Sequence, residues 1–289
     1  MPTLNERAPE AKKAATRLAA LSAAPVGLLG LIVGLVVGFL IGGAVIAIVL
    51  GVVLAALAAV LSVLVLRSAA VPGLVKIVGA RPLGDDEFPR YDNLVESLCI
   101  TGGVPEPTLY VIDDDHPNLM ALGAPDEGVL VATSGLFSSL DRVELEGVLA
   151  EGLARIRSYD AYLAGQAATF IVRPLLHNGP DVSGRPMWMV TPFAAWRARQ
   201  LATALGEQRH LLADLSALAI TNYPPALRDA LSDMAEAGTA IHDCSWGTAH
   251  LWMCDPLQAA PDGSPEARLN ELFTNHPPLE HRIALLDEL

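Results

Sequence analysis

The sequence predicts a mostly helical α+β protein, with a two-helix transmembrane hairpin followed by one soluble domain. Three observations lead there. No charged residue occurs between positions 26 and 66, a run of 41 residues. The chain has 289 residues, enough for a membrane anchor and one domain with a sizeable core. Beyond the apolar run, helical hydrophobic spacing prevails over short β-rich stretches.

As one helix, 41 residues would extend about 60 Å, twice the roughly 30 Å of a bilayer's hydrocarbon core. Two helices fit better, over 21–41 and 44–66, broken at Gly42-Gly43, where the backbone is freest. Pro25 would then sit in the first turn of the first helix, where proline is tolerated. A cleaved signal peptide does not fit, because its apolar core should be only about 7–15 residues. Arg7, Lys12, Lys13 and Arg17 precede the run, and Arg67, Lys76 and Arg81 follow it. The positive-inside rule therefore predicts a multi-pass protein of the plasma (inner) membrane, with both ends and the soluble domain in the cytoplasm. Gly30, Gly34, Gly38 and Gly42 share one helix face, as do Gly43, Ala47, Gly51, Ala55 and Ala59 on the other. Small residues at this spacing let helices approach closely in lipid, either within the hairpin or between copies in a homo-oligomer.

The domain organisation read from this is a segment 1–20, the hairpin 21–66, a connector 67–90 and the domain 91–289. In the last, 91–100 reads as an amphipathic helix, 108–112 and 129–133 as strands, and 141–157 as a strong helix capped by Ser139 or Asp141. The Gly- and Pro-rich stretch 178–192 reads as a loop, 194–220 and 225–237 as helices, and the chain from 261 as loop and then a helix over 279–289. A net charge of −13 argues against a nucleic-acid partner, which would need clustered Lys and Arg. Three cysteines with no CxxC pair give no disulfide framework. His242, Cys244, His250 and Cys254 lack standard zinc-finger spacing and read as a structured loop.

Several short motifs then occur in a fixed order: Asn93 to Leu98, Gly103-Val104-Pro105-Glu106-Pro107, Leu109 to Asp113, Pro117-Asn118, Thr133 to Leu136, Glu144 to Ala150, Ala249-His250-Leu251, Pro256-Leu257, His276-Pro277-Pro278, Arg282-Ile283 and Leu286. Together with the preceding hairpin, this resembles the HtpX-type membrane zinc metallopeptidases. The resemblance implies a zincin-like fold. It also implies a zinc site made by an HExxH helix after a Val-Leu-Ala run, with a later glutamate as third ligand. In HExxH two histidines one turn apart bind the metal, and the glutamate acts as general base on metal-bound water.

This chain departs from the pattern where the chemistry lies. The stretch Val148-Leu149-Ala150-Glu151-Gly152-Leu153-Ala154-Arg155 has Glu151 and Arg155 at the ligand positions and Gly152 at the base. The third ligand position, in His210-Leu211-Leu212-Ala213-Asp214, is His210. Glycine cannot take a proton, and arginine offers only donors and a permanent charge. The expectation is a degenerate member with no catalytic residues and no metal, in which Arg155 pairs with Glu151, Asp214 or both. The alternative is an active peptidase with a rearranged zinc site at Glu151, His210 and Asp214. As a pseudo-enzyme it would bind membrane lipid and a protein or peptide partner, the family's role being protein quality control. The peptide would lie along 108–112 taken as an edge strand, with Asp113, His116, Asn118 and Asp214 lining the groove. A third expectation is a structural subunit of a membrane complex.

Overall fold

The computed structural model describes residues 4–84, 87–172, 187–206, 208–242, 244–260, 264–274 and 276–289. Two long helices come first, α1 (Leu4–Gly42) and α2 (Ala44–Ile77). Gly43 makes the turn between them at φ +80°, a conformation that only glycine adopts without strain. The large apolar side chains Leu28, Leu29, Ile32, Phe39, Leu40, Ile48 and Val52 point outward. With windows of mean hydropathy 2.6 and 3.1, these are transmembrane helices.

The small-residue seam lies inside the hairpin. A Cβ on Gly34 would stand 2.5 Å from the Gly51 Cα, and one on Gly38 would stand 2.5 Å from the Ala47 Cα. Such backbone contact is the geometry that small residues permit, and it occupies the face considered above for association between copies.

Both helices run beyond the apolar segment. Helix α1 is continuous from Leu4, so Pro25 lies mid-helix and residues 4–20 are not a separate unit. Helix α2 continues to Ile77, through the first 11 of the 24 residues of the expected connector. These extensions pack on the soluble domain. Ala15, Leu74 and Val75 are buried in one apolar cluster with Met120, Leu122 and Leu163. Lys12 Nζ sits 3.9 Å from the centre of the Tyr159 ring.

The domain has a four-stranded sheet: β1 (Arg81–Pro82), β2 (Thr108–Ile112), β3 (Leu119–Leu122) and β4 (Val129–Thr133), in the order β1-β2-β4-β3. Strands β2 and β4 are parallel, and β1–β2 and β3–β4 are antiparallel. The expectation that 108–112 forms a free edge is therefore corrected, because β2 lies between β1 and β4. Strand β3, unforeseen, ends the sheet and is buried throughout, so it lacks polar alternation as a signal. Its outer side is already occupied: Met253 N–H donates to Leu119 O at 2.8 Å, and Met120 pairs with Trp252.

Around the sheet pack α3 (Pro89–Gly102), α4 (Ser134–Ser139), α5 (Arg142–Arg157) and α6 (Asp160–Ala167), the last continuing as a π-helical turn (Ala168–Val172). Then come α7 (Met187–Leu205), α8 (Arg209–Thr221), α9 (Pro224–Ala237), a 3₁₀ turn (Ala249–Leu251), α10 (Pro265–Phe273) and α11 (Leu279–Asp287). The predicted helix over 194–220 is two helices, parted at Gly206, where φ is +79°. Of the predicted loop 178–192, residues 178–186 lie outside the described residues, as does His177, while 187–192 begin α7. Helix α10 stands where loop was expected.

Helix α5 is the centre of the core. Asp141 accepts from Val143 and Glu144 N–H at 2.7 and 2.9 Å, and Glu144 accepts from Asp141 N–H at 2.6 Å. This capping box makes Asp141, not Ser139, the N-cap. Its residues from Gly147 to Ile156 are all buried.

Candidate metal centre

The three expected ligand positions do converge on the interior. Glu151 is on α5, fully buried, and His210 is on α8, 1% exposed. Neither Glu151 oxygen accepts a hydrogen bond from a protein group, and neither His210 ring nitrogen makes one. Burial pushes the Glu151 carboxyl up to about 7 against the pull of Arg155, and pushes the His210 imidazole well below its usual range. At neutral pH His210 is therefore an uncharged ring, lying 4.6 Å from the ring of His276. His276 Nε2 in turn contacts Trp252 O at 3.0 Å, and burial lowers its pKa to about 3.

Arg155 does not pair as expected. Its Nε donates to Asp160 Oδ2 at 3.1 Å and its Nη1 to Leu251 O at 3.3 Å. Asp160 reaches this place because Tyr159 adopts the left-handed conformation, φ 63°, and folds the chain back beneath the end of α5. The same Asp160 oxygen accepts from Arg209 Nη2 at 2.8 Å, and Arg209 Nη1 donates to His250 O at 2.7 Å. Burial raises the Asp160 carboxyl, but the two guanidiniums outweigh it and hold its pKa below the ordinary carboxylate value. Asp214, the other expected partner, is taken by Arg282, with Nε and Nη2 donating to its two oxygens at 2.8 and 2.6 Å. Arg282 Nη1 also donates to Met253 O at 2.8 Å. Such a fork-to-fork pair fixes Asp214 in one orientation.

The space for a general base is filled as well. A Cβ at Gly152 would meet methyl groups of Leu119 and Leu130 at 2.8 and 2.9 Å. The segment 249–254 closes the centre, since His250, Leu251 and Met253 give it their carbonyls and Trp252 is 1% exposed.

These residues do not fit zinc at the position the family would use. One ligand position is a guanidinium engaged elsewhere, Asp214 is committed to Arg282, and the remaining donors do not gather. Among the described residues, the group whose metal-ligand atoms all lie within 4.8 Å is a different one: Asp114, His116 and His242. The Cys/His reading of 242–254 resolves differently. Cys244 Sγ contacts Thr248 Oγ1 at 3.6 Å, His250 Nε2 faces Ala164 O at 3.3 Å, and Cys254 lies against Arg282.

The groove residues named from sequence have separate duties. Asp113 is 71% exposed and pairs with Arg81 at 2.9 Å. Asn118 is fully buried as a latch, its Nδ2 donating to Thr239 O and Cys254 O and its Oδ1 accepting from Cys254 N–H. His116 sits on Asp114, and Asp214 on Arg282. Sequence reasoning passed over Asp160 and Arg209 as site residues. Arg209 had one available signal, its adjacency to His210. Asp160 had none, because its approach depends on the Tyr159 turn.

Residues 85–289 match peptidase family M48. A protease HtpX homolog of Dictyoglomus thermophilum is 33% identical over 230 residues, covering 74% of this chain and 73% of the relative. One of Tropheryma whipplei is 32% identical over 235 residues, covering 74% and 77%. One of Streptococcus mutans is 27% identical over 238 residues, covering 73% and 77%. No solved structure matches the chain. On these matches the chain belongs to peptidase family M48, as an HtpX-like membrane protein.

Proposed function

We propose that this protein is a non-catalytic HtpX-like pseudo-peptidase, anchored in the inner membrane with its domain in the cytoplasm, where it holds a protein partner. The observation that carries the reading is the buried Arg155–Asp160–Arg209 cluster, which places an ion pair where a second metal ligand would stand. Gly152 and the leucines packed on it supply no proton acceptor. Positive charge on both flanks of the hairpin supports the cytoplasmic orientation.

Peptide addition along β3 is not supported, because Met253 and Trp252 already occupy that strand's outer side. A more open place for a partner is a cavity of about 550 Å³ lined by Glu87, Phe88, Asp92, Asn93, Glu106 and Leu109 among others. Its carboxylates would favour a basic segment. A role in protein quality control would then consist of holding clients or a complex subunit, not cleaving them.

The test is a casein-cleavage assay on purified full-length protein with zinc supplied. No cleavage is expected. Cleavage abolished by Glu151→Gln or His210→Ala would overturn the reading in favour of a rearranged active site.

A further inference from the structure

Away from the degenerate centre, two loops 128 positions apart meet on one carboxylate. Asp114 follows β2, and its side chain is 3% exposed. Its Oδ1 accepts from the His116 backbone N–H at 2.9 Å, and its Oδ2 from the His242 backbone N–H at 2.8 Å. Both imidazoles turn the same atom toward it: His116 Nδ1 lies 3.1 Å from Oδ1, and His242 Nδ1 lies 3.0 Å from Oδ2. The ring centres are 5.4 Å apart. His116 is 34% exposed and His242 65%, so the carboxylate forms the floor and the two rings the open wall.

We propose that Asp114, His116 and His242 form a binding site for a divalent transition-metal ion of the zinc class, separate from the family's centre. The donor set, two imidazole nitrogens and a carboxylate, is one that zinc accepts. Zinc–nitrogen distances of about 2.0–2.1 Å imply ligand-to-ligand edges of roughly 3.3 Å in a tetrahedron; each Nδ1 already lies 3.0–3.1 Å from its carboxylate oxygen, and all the donor atoms lie within 4.8 Å of one another. The ion would enter between the Nδ1 atoms and the carboxylate. Each neutral imidazole would then carry its proton on Nε2, on the more open side, so binding needs a change of tautomer and no net loss of a proton. The two backbone N–H donors keep Asp114 oriented, in the way outer hydrogen bonds orient metal ligands.

The site also has a structural consequence. The segment carrying His242 leads into 249–254, which supplies the carbonyls that hold Arg155, Arg209 and Arg282. Asn118 already ties this segment to the loop after β2. The metal would add a second tie, closing a loop of over a hundred residues from the molecular surface.

The experiment uses the untagged full-length protein in detergent micelles, freed of metal and titrated with zinc chloride, with cobalt(II) absorption as a second readout. One ion per chain is expected, with a rise in the thermal midpoint on binding. His116→Ala and His242→Gln should each weaken binding by more than the roughly 10–100-fold typical of an outer-shell change, and should remove the cobalt signal. Both side chains are partly exposed, so the metal-free variants should melt near the metal-free parent. Glu151→Gln and His210→Ala should leave the stoichiometry unchanged. No binding by the parent, or unchanged binding by both histidine variants, would overturn the site and leave the pseudo-enzyme reading standing. Loss of the ion in Glu151→Gln or His210→Ala would instead place it in the old centre and overturn both.

Discussion

Arg155 brings a permanent cation into the core, and Asp160 is the residue that makes it tolerable. A buried charge survives only when paired and hydrogen-bonded, and here one carboxylate serves two guanidiniums. The two partners are therefore unequal. Arg155→Ala leaves Asp160 with Arg209, whereas Asp160→Ala leaves two buried cations facing one another. Breaking a buried pair costs about 3–5 kcal/mol. We expect Arg155→Ala to fall near the lower end and Asp160→Ala to exceed it, measured as thermal midpoints in detergent. Equal losses would show that Asp160 is not shared. Glu151 gives a prediction in pH. Its carboxyl is raised from 4.5 to about 7, so between these values the folded state holds a proton that the unfolded state has released. Its contribution is fully present below about 4.5 and is lost as pH rises through 7. The buried histidines 210, 250 and 276, whose pKa values are depressed, act in the opposite sense and destabilise the fold as pH falls below 6.5. Comparison with Glu151→Gln isolates the carboxylate. The variant should gain on the parent from pH 5 to 8, by on the order of 2–3 kcal/mol, and a constant difference would refute the raised value.

Among elements, the hairpin shows two opposite uses of glycine. Gly34 is a contact residue, whose replacement drives a Cβ to 2.5 Å from the Gly51 Cα. Gly43 is a turn residue, with nothing within 4 Å of an added Cβ but a φ of +80°. Gly43→Ala should cost the roughly 1–3 kcal/mol of a side chain held at φ 80°, ψ −167°, a conformation essentially reserved for glycine. Gly34→Ala should cost more, because the helices must move apart along the whole seam. Denaturation in graded SDS would rank them, and the reverse order would mean that the seam is not tight. The capping box at Asp141 and Glu144 does comparable work for α5, since it fixes where the helix starts and hence which residues face the sealed centre.

For the molecule as a whole, the extensions of α1 and α2 pack on the same domain, which predicts that the N-terminal segment and the domain share one side of the membrane. Ala15 from the first and Leu74 from the second enter the same cluster beneath β3. A hairpin whose outer ends both grip one domain cannot leave those ends on opposite sides. Reporters fused before Met1 and after Leu289 should therefore agree, and the positive flanks predict a cytoplasmic reading for both. Disagreement between them would contradict the packing, whereas agreement on an extracytoplasmic side would contradict only the charge rule.

Much of this protein is legible from its sequence alone. The hairpin follows from an uncharged run too long for one span, and its seam from glycines four apart. Strands 108–112 and 129–133 and the helix ending at Arg157 follow from local periodicity, because one face of each must be apolar. That no HExxH run occurs in the chain is equally plain, since it is a matter of which residue stands at which position. Only the tertiary structure decides which partners Glu151, Arg155 and Asp214 take. Glu151 and Arg155 are one helical turn apart, which favours a pair on an isolated helix, yet Arg155 turns to Asp160 and Asp214 turns to Arg282. Those choices depend on a left-handed Tyr159, on α11 bringing Arg282 to α8, and on 249–254 offering three carbonyls. Strand β3 was hidden for a related reason: buried on all sides, it shows no alternation, and its edge is paired by a segment more than a hundred residues away. Spacing along the chain reports local geometry, but a buried charge selects its partner in three dimensions, where desolvation makes an unpaired ion too costly to leave alone.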